Sequence, residues 1–343
     1  MEYFTFGREA LVSGLISLGL KKGDAIIVPA YICKSALQPI LEHGIEIIFI
    51  DVDEQLSITP DSILNELTIN VKAVLVVHYF GVIKNINLII KICHNKSIIV
   101  VEDMSHSFLS RVVKKTETIN SDMEIFSIRK SLPVLDGGGI IIHNDKHLCF
   151  KKSKLRCVTI IKDIKYLILR IIESIFVTLG IDIHNDWIAK IKNRRLLKIF
   201  KPSIGISSCN PSWRLEKYLK NKKYLVDTGL IIKNNYDILS SMLIKNNFHV
   251  FDIGNSLDVV PQALLLVEEE GGVVDYLKQK SIGARHWPSI EIPQEVSMNS
   301  SKYLNANSFN NKLVLLPVHQ SITIQQIEYI VQNLVEWRDI SKQ

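Results

Sequence analysis

Short, continuous apolar runs recur through the first 145 residues, and each is followed by a segment with helical spacing. The runs do not alternate between apolar and polar residues. Strands that are apolar on both faces are typical of a parallel sheet covered by helices, whereas half-exposed antiparallel strands alternate. The pattern therefore predicts an α/β fold. The predicted strands are Ala25–Pro29, Ile45–Asp51, Ala73–His78, Ser97–Asp103, Glu124–Ser127 and Gly139–His143.

The segments between these strands carry helix signals. Thr59 followed by Pro60 and Asp61 has the pattern of an N-cap with proline at the first helical position. We expect a large domain with a mostly parallel sheet over residues 1–150, a helical connecting region over 151–225 and a smaller C-terminal α/β domain over 226–343. Further expected elements are a helix from Ser212, strands near Phe248–Ile253, Val259–Val267 and Val314–Pro317, and helices near Val274–Gln279 and from Ile322.

The stretch from Cys149 to Lys201 has a different residue pattern, in which long apolar segments are interrupted by Lys and Arg. This pattern predicts helix. A basic amphipathic helix can lie on an anionic membrane surface, but most such helices dock on their own protein or on a subunit partner.

Composition narrows the class of protein. The chain has 343 residues, of which 47% are hydrophobic, 22% charged and 8% aromatic, so the signature of disorder is absent. The net charge of +6 is spread along the chain apart from the basic stretch, and it does not by itself indicate nucleic acid. Nowhere do 18 uncharged apolar residues run together, so the sequence predicts no transmembrane helix.

Five cysteines are widely spaced: Cys33, Cys93, Cys149, Cys157 and Cys209. Their number is odd, and neither a C-x-x-C pair nor a Cys/His cluster at zinc spacing occurs. We therefore expect reduced thiols, no metal site and, since the start of the chain lacks a signal-peptide pattern, a cytoplasmic protein.

Candidate chemistry lies where the predicted strands end, because ligands of open parallel sheets bind outside the carboxyl ends of the strands. Neither a dinucleotide-binding glycine motif nor a P-loop occurs there. Asp103 ends an apolar strand, where an unpaired carboxylate would be costly, so a positive partner is expected beside it. Lys130 follows another strand, and a desolvated lysine in a cleft can act as a nucleophilic amine. Taken alone, each residue can also have an ordinary structural role: Asp103 can cap the following helix, and Lys130 can be a surface lysine.

Together, the two residues suggest pyridoxal 5'-phosphate. This cofactor needs a lysine for its aldehyde and a carboxylate that keeps its pyridine nitrogen protonated. A phosphate site is the third requirement. Phe6–Leu11 opens a predicted helix whose free N–H groups can receive a phosphate, and Ser127 can add a hydroxyl.

At this point the sequence resembles the DegT/DnrJ/EryC1/StrS family of sugar aminotransferases, and the resemblance spans nearly the whole chain. Phe126–Lys130 followed by Asp136–Gly138 is similar to the family's F-S-x-x-K followed by G-E-G-G, the most specific match. The other matching segments are Gly7–Leu11 with S-G-T-x-A-L, Gly23–Tyr31 with G-D-E-V-I-x-P-x-Y, Val77–Gly81 with V-H-L-Y-G, Glu102–His106 with E-D-x-A-Q, and Leu316–His319 near the C-terminus.

The resemblance implies a fold-type-I, pyridoxal-phosphate-dependent aminotransferase that acts as a homodimer on a nucleotide-linked keto sugar, with an amino acid, glutamate by expectation, as amino donor. Such a product would serve surface polysaccharide or glycoside biosynthesis. Lys130 would bind the cofactor covalently and shuttle the proton, and Asp103 would bind the pyridine nitrogen. The other residues that the resemblance points to are Gly7, Arg8 and Ser127 for the phosphate, Ser105 and His106 near the ring, Tyr31 as the stacking aromatic, Ser207 as the partner subunit's contribution to the phosphate site, and His286 and His319 for the substrate.

Two alternatives stay open. Members of this fold that lack the lysine act as sugar dehydratases, and the presence of Lys130 argues against that reaction. A non-catalytic binding or scaffold protein is a second alternative, because Gly7-Arg8 replaces the Gly-Thr of the family's phosphate turn.

Overall fold

The computed structural model describes residues 1–114, 120–143, 151–162, 164–165, 167–168, 207–254, 258–288 and 292–341. Within these ranges, none of the helices is both long enough and apolar enough to cross a membrane. The basic stretch discussed above lies mostly outside the described residues.

Nine strands form the main sheet in the order β3-β2-β4-β5-β6-β7-β1-β9-β8. Strands β3, β2, β4, β5 and β6 are mutually parallel, and β7 and β1 add antiparallel pairs at one side. The strands are β1 (Glu2–Phe4), β2 (Ala25–Pro29), β3 (Glu46–Ile50), β4 (Val71–Val77), β5 (Ile99–Asp103), β6 (Met123–Ser127), β7 (Gly138–Ile142), β8 (Lys151–Arg156) and β9 (Ser207–Asn210).

Helices α1 to α5 pack around this sheet: α1 (Gly7–Ser17), α2 (Lys34–Glu42), α3 (Pro60–Asn65), α4 (Asn87–His94) and α5 (Phe108–Val113). Thr59 caps α3 through its side chain, as the sequence predicts. Single 3₁₀ turns at Tyr79–Gly81 and Ile128–Lys130 follow β4 and β6. These turns set the positions of the side chains just beyond the strand ends.

The six predicted strands are confirmed, each within two residues at either end. Strand β2 is buried throughout, and β4 is buried except for Lys72. Burial on both faces explains why the runs are continuously apolar rather than alternating. The predicted α/β class with a mostly parallel sheet is therefore confirmed, and its core lies between the central strands and the covering helices.

The far edge of the sheet departs from the sequence-based expectation. Helix was predicted from Cys149 onward, but Lys151–Arg156 forms strand β8, which pairs in parallel with β9. A run of lysines has no apolar periodicity, so its strand pairing is decided by tertiary contacts and not by local pattern.

The prediction that all five cysteines are reduced is wrong. Cys157 and Cys209 form a disulfide although 52 residues separate them in sequence. The parallel pairing of β8 with β9 brings them together, and the Cys157 N–H donates to the Asn210 carbonyl at 2.8 Å. Cys33 and Cys93 are free thiols, and Cys149 lies outside the described residues.

The C-terminal part contains a smaller sheet in the order β10-β12-β11, with β10 (Leu264–Val267), β11 (Arg285–His286) and β12 (Leu313–Leu316). Its helices are α6 (Trp213–Lys220), α7 (Lys222–Lys245), α8 (Val273–Gln279), α9 (Gln294–Met298), α10 (Leu304–Lys312) and α11 (Ile324–Ser341). The predicted strand near Phe248–Ile253 is reduced to one bridge between Val250 and Leu266.

Hydrogen bonds join this part to the large sheet. The Ser110 hydroxyl of α5 donates to the Gly81 carbonyl at 2.6 Å, and the Val260 N–H donates to the same hydroxyl at 2.8 Å. Gly81 has a φ of 104°, and a Cβ there would clash with the Val260 carbonyl. This close approach holds the C-terminal part beside the ends of β4 and β5.

Buried acids behind the cleft are paired. Glu102 on β5 accepts a hydrogen bond of 2.7 Å from His78 Nε2, and both side chains are almost fully buried. Glu124 on β6 pairs with Arg111 at 3.0 Å. Burial acts to raise the pKa of Glu102, but the His78 hydrogen bond and charge hold it below its usual value.

Replacement of His78 by Phe is expected to lower the free energy of unfolding at neutral pH by about 3–5 kcal/mol, because Glu102 would stay buried without its main donor. Since the pKa of Glu102 is lower in the folded state, its contribution is present above its ordinary pKa of 4.5 and is lost as the pH falls through the lower folded value. Urea denaturation of wild type and variant across this range measures both effects.

The matched control is His94→Phe. His94 also contacts a carboxylate, Asp122, at 3.0 Å, but its side chain is 42% exposed, so a loss below about 1 kcal/mol is expected. Equal losses for the two variants would contradict the assignment of the buried pair as the stabilising contact.

Candidate functional site

Asp103 stands at the carboxyl end of β5, directly beside β6, with which it pairs at Ile125. Its Oδ1 accepts a hydrogen bond of 2.8 Å from the Ser105 N–H. Its Oδ2 has no hydrogen-bond donor in the part of the chain that the structure describes. One carboxylate oxygen is thus held in place while the other is free to accept a proton-bearing group from a ligand.

Lys130 ends the 3₁₀ turn after β6, so it lies at the same edge of the sheet as Asp103. Its side chain is exposed, and it therefore lines an open cleft and not the sealed core. Desolvation by the surrounding protein lowers the pKa of Lys130 below its usual value, the negative charge of Asp103 acts to raise it, and the charges of Arg129 and Arg285 lower it further. The structure thus brings the predicted amine and carboxylate into one cleft.

The N-terminus of α1 forms one end of this cleft. Gly7 begins the helix, and a Cβ there would lie 3.0 Å from the Phe126 carbonyl and 3.2 Å from the Ser127 Cβ. Glycine at this position therefore lets the helix start pack closely against the end of β6. Ser127 is buried, with 6% of its surface exposed, and its hydroxyl has no partner among the described residues. Free N–H groups and a free hydroxyl suit a phosphate or a similar anion.

Two arginines flank the same helix start. The Arg8 guanidinium carbon lies 4.5 Å from the centre of the Phe6 ring, and that of Arg129 lies 4.8 Å from it. Burial lowers the pKa of Arg129, and the charge of Arg8 lowers it further, so the two cations repel one another. Neither has an ion pair within the described ranges. An anion between them would relieve the repulsion.

An aromatic wall closes another side of the cleft. His106 is buried and stacks on Phe80 with ring centres 5.3 Å apart, and the edge of Trp287 meets it at 5.0 Å. Burial lowers the pKa of His106 well below its usual value, and the charges of Lys130 and Arg285 lower it further. His106 is therefore neutral, and its Nδ1 accepts from the Phe80 N–H at 3.5 Å. Ser105, next in sequence, is also buried.

Tyr31, predicted as a stacking residue, lies inside the core. It is fully buried against Tyr79, Trp287 and Phe309, with ring centres 4.7–5.8 Å apart, and its carbonyl accepts a hydrogen bond from the Tyr79 hydroxyl. Cys33, two residues further on, is a half-buried free thiol whose Sγ lies 3.1 Å from the Ser35 hydroxyl. Tyr31 is therefore enclosed in the core, whereas Cys33 keeps part of its surface exposed.

The other predicted residues lie in different settings. His286 is on β11 and contacts the Leu313 carbonyl through Nδ1 at 3.2 Å. His319 is exposed in the loop after β12, and its Nδ1 accepts from the Ser321 N–H at 3.4 Å. Ser207 is the first residue of β9, and its side chain is outside the described part. These residues are not brought together with Lys130 by any described contact.

Asp136, from the glycine motif after Lys130, has a structural partner. Its carboxylate accepts from the Ser212 N–H at 2.7 Å and from the Ser212 hydroxyl at 2.6 Å. The same hydroxyl accepts from the Leu215 N–H and so caps α6. This acid joins the segment after β9 to the lysine-bearing turn.

Two cleft residues escaped sequence reasoning, Arg129 and Arg285. Arg129 precedes Lys130 and Arg285 precedes His286. This adjacency in sequence was the one feature that could have identified the two arginines as site residues. Together with Arg8 and Lys130 they place four basic side chains around the cleft, while the carboxylates of Asp103 and Glu9 lie beside them in the described residues. Such a cleft favours anionic ligands.

Comparison with known proteins agrees with this geometry. Residues 4–167 match the model of the DegT/DnrJ/EryC1/StrS aminotransferase family. GDP-perosamine synthase of Escherichia coli O157:H7 is 23% identical over 338 residues, which cover 96% of this chain and 84% of that protein.

Solved structures show the same fold. A DegT DnrJ EryC1 StrS aminotransferase from Brucella abortus superposes with a TM-score of 0.69 at 17% identity and covers 98% of this chain and 85% of its own. GDP-4-keto-6-deoxy-D-mannose-3-dehydratase of E. coli, solved with bound hydrated PLP, has a TM-score of 0.66 at 18% identity, with 97% and 86% covered.

Proposed function

Residues 4–167 of this chain match the model of the DegT/DnrJ/EryC1/StrS aminotransferase family, and on that basis we propose that the protein is a pyridoxal-phosphate-dependent aminotransferase. It transfers an amino group from an amino acid such as glutamate to a nucleotide-linked keto sugar. The observation that carries the proposal is the placement of Asp103 and of the turn that bears Lys130 at the same ends of the adjacent parallel strands β5 and β6.

The residues present fit the cofactor at three points. Lys130 offers an amine for the aldehyde, and Asp103 offers a free carboxylate oxygen for the pyridine nitrogen. The helix start at Gly7, the unpartnered Ser127 hydroxyl and the cations Arg8 and Arg129 form the place for the phosphate. Arginine thus replaces the hydroxyl that the family's phosphate turn supplies. We therefore expect the altered turn still to bind the cofactor phosphate.

When bound, the cofactor supplies an electron sink for the charge left on a substrate carbon as its proton departs. Lys130 moves that proton. Its lowered pKa leaves a larger fraction of the Nζ amine unprotonated near neutral pH than an ordinary lysine has, so the amine can accept a proton. Asp103 would hold the protonated ring nitrogen of the cofactor, and the Ser105 N–H keeps its carboxylate oriented.

The aromatic wall lies beside the site of this proton transfer. His106 is neutral between Phe80 and Trp287, so it adds no positive charge that would compete with Lys130 for an anionic ligand. Tyr79 is buried behind this wall, and burial together with the charge of Asp103 raises the pKa of its hydroxyl and keeps it protonated.

The names of two relatives support a nucleotide-sugar substrate: GDP-perosamine synthase and a GDP-4-keto-6-deoxy-D-mannose 3-dehydratase of Yersinia pseudotuberculosis. The dehydratase is 29% identical over 129 residues, which cover 37% of this chain and 33% of that protein. The presence of Lys130 favours aminotransfer over dehydration. A homodimer, with Ser207 reaching the partner's phosphate site, is part of the same proposal.

Lys130→Ala is expected to abolish aminotransfer while leaving the fold intact, because the proton carrier is lost from an exposed position. Asp103→Asn should lower the rate by several orders of magnitude while cofactor still binds. The measurement is the shift of the visible absorption band of the purified protein on addition of L-glutamate, and Lys302→Ala, at an exposed lysine paired with Glu66, is the matched control.

Full activity of the Lys130 variant would contradict the proposed mechanism. A wild-type protein that stays colourless with added cofactor would instead indicate the scaffold alternative.

Replacement of both Arg8 and Arg129 by Gln is expected to weaken binding of pyridoxal phosphate by about 10- to 100-fold, because charge-assisted hydrogen bonds to phosphate are lost. Binding of pyridoxal, which lacks the phosphate, should be unchanged. Absorbance titration of the cofactor-free protein measures both affinities. The control is Arg156→Gln, which removes an arginine that is paired with Glu216 at the surface. A parallel loss for pyridoxal would show that the arginines act on the fold and not on the phosphate.

A further inference from the structure

The turn that bears Lys130 is closed at its base by a backbone contact. After this turn the chain returns to β7, and the Ile128 N–H donates to the Gly137 carbonyl at 2.7 Å. Gly137 has a φ of 124°, and a Cβ there would lie 2.9 Å from the Ile128 Cβ and 3.2 Å from the Arg129 backbone nitrogen. Glycine is therefore required for this close approach. The position of Gly137 thus determines where the lysine turn begins.

Asp136 precedes Gly137 and is fully buried. Its two carboxylate oxygens accept hydrogen bonds from one residue, Ser212, which is also fully buried. The Ser212 N–H donates to Oδ2 at 2.7 Å, and the Ser212 hydroxyl donates to Oδ1 at 2.6 Å. Two short, charge-assisted bonds from one residue to a planar carboxylate fix both the distance and the direction of the contact. Asp136 is thus held at one place relative to the segment after β9.

The segment that carries Ser212 is itself anchored at the edge of the sheet. Strand β9 ends two residues before Ser212 and pairs with β8. The Cys157–Cys209 disulfide joins the residue after β8 to β9 covalently. At the end of β8, Arg156 Nη1 donates to the Pro211 carbonyl at 2.7 Å. The Asp136 carboxylate is therefore bound to a segment that is fixed from its other side.

The Asp136 contact exceeds what the start of α6 requires. The Ser212 hydroxyl oxygen accepts from the Leu215 N–H at 3.2 Å, which is the ordinary N-cap bond of a helix. A serine needs no acid to make this bond. A buried carboxylate is costly, and an apolar side chain would fill the same space without that cost. What the acid adds is a directed connection between the lysine turn and Ser212.

We propose that Asp136 and Ser212 are positioning residues for Lys130. This inference rests on the proposed function, in which the Lys130 amine must meet a substrate carbon beside the cofactor. The two Asp136–Ser212 hydrogen bonds, here called the clamp, hold Gly137 in place. Gly137 in turn holds the Ile128 N–H at the base of the lysine turn. The clamp acts through Lys130, and a displacement of a catalytic group by about 1 Å can lower a rate by about 100-fold.

The kinetic test compares the holoenzymes of wild type, Ser212→Ala and Asp136→Asn. Ser212→Ala removes the hydroxyl bond, and Asp136→Asn replaces one acceptor oxygen by an amide donor. The maximal rate constant of the visible band shift with L-glutamate should fall by about 10- to 100-fold, because the proton carrier is displaced. The half-saturating concentration of L-glutamate should change by less than about 2-fold, because the groups that bind the substrate are unaltered.

The double variant Asp136→Asn/Ser212→Ala tests whether the two residues act as one unit. Its maximal rate constant should be no lower than that of the slower single variant, because the effects of residues that share one contact are not additive. Should Asp136→Asn fail to fold, Ser212→Ala carries the comparison, since it keeps the bond from the backbone N–H to the carboxylate. Thermal unfolding of each variant verifies that it is folded at the assay temperature.

Thr59→Ala is the matched control for the loss of a helix cap. Thr59 caps α3 by the same kind of bond, since its hydroxyl oxygen accepts from the Ser62 N–H at 3.2 Å. Helix α3 follows β3, which β2, β4 and β5 separate from β6 in the sheet. Thr59→Ala should therefore lose stability but keep the wild-type rate constant and half-saturating concentration. An equal fall in rate for Thr59→Ala would overturn the proposal in favour of a general loss of stability.

Hydrogen exchange of the full-length protein, with and without cofactor, measures the clamp independently of activity. The amides of Ile128, Ser131 and Leu132 are bonded within or at the base of the turn. They should exchange at least about 10-fold faster in Ser212→Ala than in wild type or Thr59→Ala. Unchanged exchange, or faster exchange with wild-type kinetics, would overturn the proposal. A wild-type protein that reacts with no amino acid would contradict the proposed function instead, and the exchange comparison without cofactor distinguishes that result from failure of the clamp.

Discussion

The pairing of β5 with β6 in parallel is the constraint on which the candidate site depends. Because both strands end at the same edge, Asp103 at the end of one and the Lys130 turn after the other enter a single cleft. Opposite charges at this edge would ordinarily neutralise one another as an ion pair. Here the Ser105 N–H orients the carboxylate and the neighbouring cations oppose protonation of the amine. The edge is thereby arranged to hold a ligand that has a basic nitrogen and an electrophilic carbon.

Charge is distributed differently on the two sides of this edge. Buried acids outside the cleft have partners: Glu102 with His78, Glu124 with Arg111, and Asp136 with Ser212. At the cleft, four cations, Arg8, Arg129, Lys130 and Arg285, lie without ion pairs among the described residues. Paired charges maintain the fold, whereas unpaired charges in an open cleft are available to ligands. The difference locates the site independently of any sequence motif.

Sequence was sufficient for the elements whose local pattern agrees with their tertiary setting. The continuous apolar runs of β2 to β7 and the cap at Thr59 are of this kind, and so are Asp103 and Lys130, which follow such runs. It was insufficient where distant segments decide the outcome. Strand β8 and the Cys157–Cys209 disulfide arise from pairing across 52 residues, and Tyr31 is drawn into the core by Trp287 and Phe309. Arg285 lies on a strand of the C-terminal sheet, a placement that no motif around Lys130 contains.

The most direct measurement identifies the lysine that carries the cofactor. The protein saturated with pyridoxal phosphate is reduced with borohydride, which makes the bond between cofactor and lysine permanent, and is then digested and mapped by mass spectrometry. We predict the phosphopyridoxyl group on the peptide that contains Lys130 and on no other. A modified peptide from elsewhere in the chain, or a protein that carries no such group after reduction, would contradict the assignment of this cleft.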